Sequence, residues 1–337
     1  MFEGDALREG ENAADSLASP SAAEGRRPVS FSSFLAKRKF LLAAAATLGL
    51  LLALFAGLQW YVGSLARVAV TVPPHSYLSI TPALAGIPYE DWTTVSEDGI
   101  RLAAWYVPPD RPSSKPPLIV VHGLGASKEF QIHYIVLGHQ LGFPVLAIDL
   151  RGHGKSEKTM TTLGWKEPLD LKAWTDRLAA KGQASPLVWG TSLGAVTALR
   201  FVSEDSRAGG IIADAPFDNL RNSMAVHARL FFGLPAFPFV DLVSWELERR
   251  YSLDPGKVDC VDAAQKIHVP ILVLAAEEDR RMPVNVVRKI YAAAPEPKKW
   301  WVIPHASHEE RTFAPDFRRV VGDFLEFAAT YPSAKRP

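Results

Sequence analysis

Ser192 stands between two glycines in GTSLG at 190–194, and in such a setting a serine can act as a nucleophile. The apolar stretch Leu187–Trp189 before it predicts a strand, and the run 195–202 after it predicts a helix. A nucleophilic serine on a tight strand-to-helix turn needs small neighbours, because the strand and the helix approach closely there. The helix would also bring free N–H groups and the positive end of its dipole to the serine. The alternative interpretation is one more glycine-bounded loop.

A serine hydroxyl is a weak nucleophile and needs a general base, which a further group must orient. Acidic candidates for that further group follow the predicted strand Ile271–Ala275, in EEDRRMP at 277–283. Asp279 is the preferred candidate, and Glu278 remains open. Asp214, which follows another predicted strand, is a lesser alternative. A solvated acidic turn would explain the segment without any catalytic role.

Histidine candidates for the base follow the predicted strand Lys298–Ile303, in HASH at 305–308. Because sites of parallel sheets lie at the carboxyl ends of the strands, His305 and His308 are expected at the same edge as Ser192. A surface histidine pair is the alternative. His122, in a glycine-rich loop, is interpreted as structural.

The body of the chain alternates strand-like and helical patterns, which predicts an α/β fold with a mostly parallel central sheet and helices on both faces. One long insert, about 215–266, interrupts the alternation and contains the apolar run FFGLPAFPF at 231–239. It is interpreted as a small cap over the carboxyl edge of the sheet that shapes an apolar substrate pocket. A helical excursion packed on the core is the alternative. The α/β domain is expected to span residues 68–337.

The N-terminal region predicts a membrane anchor. Residues 1–39 are expected to be a disordered cytoplasmic segment, and the 19 residues 40–58 carry no charge, enough to cross a bilayer as a helix at 40–62. This run is longer than the apolar region of a signal peptide. Lysines and arginines cluster before the span, and only Arg67 closely follows it. The positive-inside rule then places the N-terminus in the cytoplasm and the body outside it.

Composition excludes several other function classes. The 337-residue chain has a net charge of +1 and no basic stripe, so nucleic acid is not an expected partner. Its single cysteine, Cys260, cannot form an intrachain disulfide, and CxxC and HExxH patterns are absent. No metal and no cofactor are therefore expected. The glycine-rich DLRGHGKS at 149–156 lacks the spacing of a phosphate-binding P-loop and is interpreted as a structural turn.

Taken together, the motifs resemble the α/β-hydrolase-fold serine hydrolases over roughly residues 90–330. Within that superfamily, the chain looks most similar to the membrane-anchored, Bem46-like hydrolases. These are themselves similar to the catalytic domain of prolyl-oligopeptidase-type peptidases. Ala276 and His305 depart from the glycines that this superfamily often has at those positions. The segments that carry the resemblance are HGLG at 122–125, DLRGHGKS at 149–156, GTSLG at 190–194, VPILVLAAEEDRRMP at 269–283 and HASH at 305–308.

The resemblance implies a role for each candidate residue. Ser192 would be the nucleophile, Asp279 the triad acid and His308 the base, because the family pattern places its histidine at the end of the HASH segment. The oxyanion hole would consist of the backbone N–H groups of Leu193 and Leu124.

These inferences predict a membrane-anchored serine hydrolase that cleaves carboxylic esters through an acyl-enzyme. The apolar insert and the nearby bilayer suggest a small-molecule or lipid-like ester as substrate. A serine peptidase or amidase would use the same triad, and a non-catalytic binding protein or membrane scaffold could use the same fold. The oligomeric state is left open.

Overall fold

The computed structural model describes residues 31–73, 79–183 and 185–332. Most of the predicted disordered segment, residues 1–39, therefore lies outside the described residues. The chain divides into two compact units, residues 1–57 and 58–337. The predicted boundaries at 40, 62 and 68 stay predictions.

The described part of the first unit, residues 31–57, belongs to a single 40-residue helix, α1 (Phe31–Val70). Leucines and phenylalanines along this part are exposed on every side of the helix. A helix that is apolar all round is typical of a membrane span. Within the described ranges, α1 is the one unbroken helix long and apolar enough to cross a membrane.

The second unit is built around an eight-stranded sheet with the order β1-β2-β4-β3-β5-β6-β7-β8. β1 and β2 form an antiparallel hairpin, β2 pairs antiparallel with β4, and the remaining strands run parallel. The carboxyl ends of β3 to β8 therefore lie at one edge. The strands are β1 Glu90–Val95, β2 Arg101–Val107, β3 Leu118–Val121, β4 Val145–Asp149, β5 Leu187–Thr191, β6 Gly210–Asp214, β7 Ile271–Ala276 and β8 Lys298–Ile303.

Helices cover both faces of this sheet. Alternate residues of the strands point to opposite faces, so Ile119 and Val121 join one apolar cluster while Leu118 and Val120 join another. The first cluster includes side chains of α3, α4, α7 and α8, and the second those of α2 and α9. The helices after α1 are α2 Ile132–Gln140, α3 Glu167–Ala180, α4 Leu193–Glu204, α5 Leu220–Phe232, α6 Ala236–Tyr251, α7 Cys260–Gln265, α8 Val284–Ala293 and α9 Phe317–Thr330.

The three helices of the long insert differ in what they pack against. α5 and α6 pack against each other, while α7 packs against α4 and α8 and so belongs to the helix layer of the sheet. Asn219 caps α5 by accepting a hydrogen bond from the Asn222 amide, and Gly233 ends it in the left-handed region. The part of the insert that stands apart from the sheet is therefore the α5–α6 pair.

Candidate active site

Ser192 occupies the turn between β5 and α4 with φ 51° and ψ −115°, a conformation that is strained for a residue with a side chain. Its amide donates a 2.8 Å hydrogen bond to the carbonyl oxygen of Asp214 on the neighbouring strand. A Cβ added to Gly190 would overlap the Gly194 carbonyl, and one added to Gly194 would overlap the Val121 carbonyl. Both glycines are therefore needed for strand and helix to approach, as a nucleophile elbow requires.

Asp279 and His308 lie together in the loops that follow β7 and β8. His308 Nδ1 is 2.6 Å from Asp279 Oδ2, within hydrogen-bond distance. Asp279 Oδ1 accepts hydrogen bonds from the amides of Arg281 and Met282 at 2.8 and 2.9 Å. The carboxylate is buried and the imidazole is 12% exposed. An Nδ1–H donated to a carboxylate leaves Nε2 free to accept a proton.

Two opposing effects act on the pKa of Asp279. Burial raises it, but the hydrogen bond from His308, the charge of that imidazole and the two backbone amides together outweigh burial. The pKa therefore lies below its ordinary value, and the carboxylate is ionised at neutral pH. An ionised, buried carboxylate is the group that fixes the orientation of a catalytic imidazole.

The alternative acid and base have other contacts. Glu278 is exposed at its side chain, and its amide donates to the Ala306 carbonyl. The His305 side chain is 89% exposed, and its Nδ1 lies 3.7 Å from a carboxylate oxygen of Glu277. Among the acidic and histidine candidates in these two loops, Asp279 and His308 are the ones whose side chains lie within hydrogen-bond distance.

Sequence reasoning missed a buried ion pair beside these residues. Asp214, at the end of β6, is fully buried, and Arg311 Nε lies 2.8 Å from its Oδ1. The Arg311 guanidinium also donates to the His308 carbonyl. Burial raises the pKa of Asp214, while Arg311 lowers it. A lone arginine after the HASH segment carries no pattern that reveals this contact.

The HGLG loop passes directly beside Ser192. A Cβ added to Gly123 would lie 3.3 Å from the Ser192 Cβ. Gly125 has φ 73°, and the Ala126 amide donates to the Gly123 carbonyl, so Leu124 lies within a tight turn at this point. Leu193 begins α4, where amides lack an intrahelical acceptor. Leu193 therefore follows Ser192 directly in the chain, and Leu124 follows the glycine that lies against Ser192.

Two buried histidines hold this loop in place. His122 Nε2 accepts a 3.0 Å hydrogen bond from the Leu150 amide, and its Nδ1 is 2.7 Å from the Gly123 carbonyl. Burial lowers the pKa of His122 to about 3, so the ring is neutral and both nitrogens are engaged. His153, in the glycine-rich turn, accepts from the Gly125 amide at 3.1 Å. These contacts support structural roles for His122 and the 149–156 turn.

Ser192 and His308 share no hydrogen bond among the described residues. Such contacts are often long without substrate and shorten in the complex. The two residues are linked through Asp214, whose carbonyl binds the Ser192 amide and whose carboxylate lies beside Arg311. Within the described ranges, no group of three or more His, Cys, Asp or Glu side chains could hold a metal.

Comparison with solved structures decides the fold. An esterase of Pyrococcus furiosus, Pf2001, superposes with a TM-score of 0.64 and 26% identity, over 77% of this chain and 98% of that one. The family described as alpha/beta hydrolase fold matches residues 116–240, which include Ser192 and the HGLG loop. This chain has the α/β-hydrolase fold.

Two curated relatives of this hydrolase-fold chain extend the comparison. The uncharacterized membrane protein YNL320W of Saccharomyces cerevisiae is 27% identical, over 73% of this chain and 82% of its own length. The lysophosphatidylserine lipase ABHD12 of Danio rerio is also 27% identical, over 68% of this chain and 67% of its own length. The fold together with these esterase and lipase relatives supports a hydrolase, and α1 suggests membrane anchoring.

Proposed function

We propose that this protein is a membrane-anchored serine hydrolase that cleaves carboxylic esters, with Ser192, His308 and Asp279 as its triad. The observation that carries the proposal is the 2.6 Å contact between His308 and buried Asp279, at the sheet edge where Ser192 has a strained positive φ. An N-terminal apolar helix supports placement in the Bem46-like subgroup.

The proposed reaction proceeds in two halves. Ser192 Oγ attacks the ester carbonyl carbon as its proton passes to His308 Nε2, and the amides of Leu193 and Leu124 stabilise the oxyanion. His308 then protonates the leaving alcohol, which leaves the acyl group on Ser192. Water gives a proton to His308 as it attacks the acyl carbon, His308 passes that proton to Ser192 Oγ as the acyl–oxygen bond breaks, and the carboxylic acid is released. Asp279 holds the imidazole and stabilises its charged form.

Ester hydrolysis is favoured over amide hydrolysis by the named activities of two relatives, an esterase and a lysophosphatidylserine lipase. A lipid-like ester also fits an enzyme that is held at a bilayer by α1. A peptidase or amidase remains the second candidate, because the same three side chains perform that chemistry.

The first test is labelling of the intact chain, in detergent, with a fluorophosphonate that reacts only with an activated serine. We expect labelling of the wild type and none of Ser192→Ala. Ser307→Ala is the matched control, since Ser307 lies next to His308 yet donates to Glu310, and it should label normally. A folded wild type that resists labelling would contradict the proposal and favour a non-catalytic binding protein.

Substrate class is tested next with p-nitrophenyl esters of increasing chain length, set against peptide amides. We expect hydrolysis of the esters by wild type and a loss of at least about 10³-fold in Ser192→Ala. Faster cleavage of amides than of esters would replace the esterase proposal with the peptidase one.

A further inference from the structure

We propose that the tip of the α5–α6 pair inserts into the surface of the same bilayer that α1 enters. The tip is defined by four exposed apolar side chains on either side of the Gly233 turn. Phe237 is 79% exposed and Phe232 is 51% exposed. Exposed aromatic clusters of this kind are costly in water and mark interaction surfaces. The tip residues are Leu230, Phe231, Phe232 and Phe237.

Contacts with the end of α1 place α6 at the level of the bilayer surface. The uncharged run of α1 ends at residue 58, and Tyr61 follows where aromatic side chains mark the membrane–water interface. The Tyr61 ring meets the Phe239 ring edge-on at 6.4 Å between centroids. Two residues further along α1, Gly63 packs against the Arg250 guanidinium. The tip precedes Phe239 directly in the chain, so it lies next to the interface.

The tip is also continuous with the candidate active site. The Phe231 ring lies 5.7 Å from the guanidinium of Arg281, whose amide is hydrogen-bonded to Asp279. His227, one turn earlier on α5, lies 5.4 Å from the Phe231 ring. If the proposed function holds, an inserted tip would bring the His308–Asp279 side of the candidate site close to esters in the bilayer.

A bilayer explains the chemistry of this surface better than a second copy of the chain. Together, α5 and α6 are apolar enough for a broken membrane segment, bent by 115° between the two helices. Farther along α6, the Arg249 guanidinium lies 5.0 Å from the ring of Trp245, which is 49% exposed. Exposed aromatics beside arginines are typical of segments that lie in the headgroup region.

The test measures the lipid contact of the tip in the intact chain, reconstituted in phosphatidylcholine bilayers. Phe237→Cys is labelled with an environment-sensitive fluorophore, and brominated acyl chains are added as contact quenchers. Cys260 is buried, so the engineered thiol is the one that reacts under native conditions. Phe327→Cys on α9 is the matched control, because Phe327 is a phenylalanine 38% exposed on another helix.

We expect several-fold quenching and a blue-shifted emission at position 237, with neither change at position 327. Equal, weak quenching at both positions would overturn the inference. A blue shift that grows with protein density but is insensitive to brominated lipid would also overturn it, because a second copy would then cover the tip. Quenching does not require turnover, so the same measurement on Ser192→Ala separates this inference from the proposed function.

Discussion

At the scale of single residues, the His308–Asp279 contact determines which imidazole nitrogen carries the proton. Asp279→Asn would keep the shape of the side chain but remove its charge, so the ring loses the partner that holds Nδ1–H. We expect kcat for ester hydrolysis to fall by about 10⁴-fold, with folding retained. Glu278→Gln, which alters the exposed neighbouring acid, is the control and should keep wild-type kcat. Equal losses in both variants would contradict the assignment of Asp279.

The same carboxylate gives a prediction for stability against pH. Burial raises the pKa of Asp279, but the hydrogen bond and charge of His308 together with two backbone amides outweigh it, so the pKa in the folded chain lies below its ordinary value of 3.8. Its ionised form therefore stabilises the fold fully above that ordinary value, and the stabilisation is lost as pH falls through the lowered pKa. We expect the difference in unfolding free energy between wild type and Asp279→Asn to narrow on acidification. Urea unfolding of the detergent-solubilised chain at several pH values measures this free-energy difference. A difference that widens as the pH falls would contradict the prediction.

Arg311 is expected to act as a positioning residue. Its guanidinium joins the Asp214 carboxylate to the His308 carbonyl, so it holds the loop that carries the imidazole. In Arg311→Met we expect kcat to fall roughly 100-fold with little change in KM, because small displacements of reacting groups cost that much. Adding Asp214→Asn should recover stability, by removing the unpaired buried carboxyl, without recovering kcat. Unchanged kcat in folded Arg311→Met would show that the pair serves stability alone.

At the scale of elements, the two glycines of the elbow set the distance between β5 and α4. In Gly190→Ala the new methyl group would overlap the Gly194 carbonyl, which is backbone and cannot rotate away. We expect a loss of roughly 1–3 kcal/mol in unfolding free energy or more, together with loss of fluorophosphonate labelling.

Gly322→Ala is the control for that substitution, because Gly322 lies inside α9 and its nearest neighbour would be a Leu141 methyl at 3.7 Å. There alanine should stabilise the helix by up to about 1 kcal/mol. A Gly190→Ala variant as stable as wild type would remove the steric argument for the elbow.

The centre of the sheet was predictable from the sequence because β3 to β7 are buried on both faces and read as short apolar runs. β2, β3 and β8 begin and end with the strand-like runs of the sequence at 101–107, 118–121 and 298–303. β4 to β7 extend one or two residues beyond the runs at 145–148, 187–189, 210–213 and 271–275. The extra residues matter, since Asp149 and Asp214 end β4 and β6 and hold neighbouring loops through side-chain contacts. Such contacts join positions far apart in the chain, so no local period reveals them. The exposure of the α5–α6 turn was unpredictable for a similar reason, because an apolar run does not show whether another part of the chain covers it.

At the scale of the whole molecule, charge around α1 predicts which side of the membrane carries the body. Lys37, Arg38 and Lys39 precede the uncharged run, while Arg67 alone closely follows it. We expect a C-terminal alkaline phosphatase fusion of the full chain to be active in a bacterial host and a C-terminal fluorescent-protein fusion to be dark. Changing all three basic residues to glutamine should raise the fraction with reversed orientation. A wild-type chain with its C-terminus in the cytoplasm would refute this orientation and place the candidate site, with its ester substrate, at the inner leaflet.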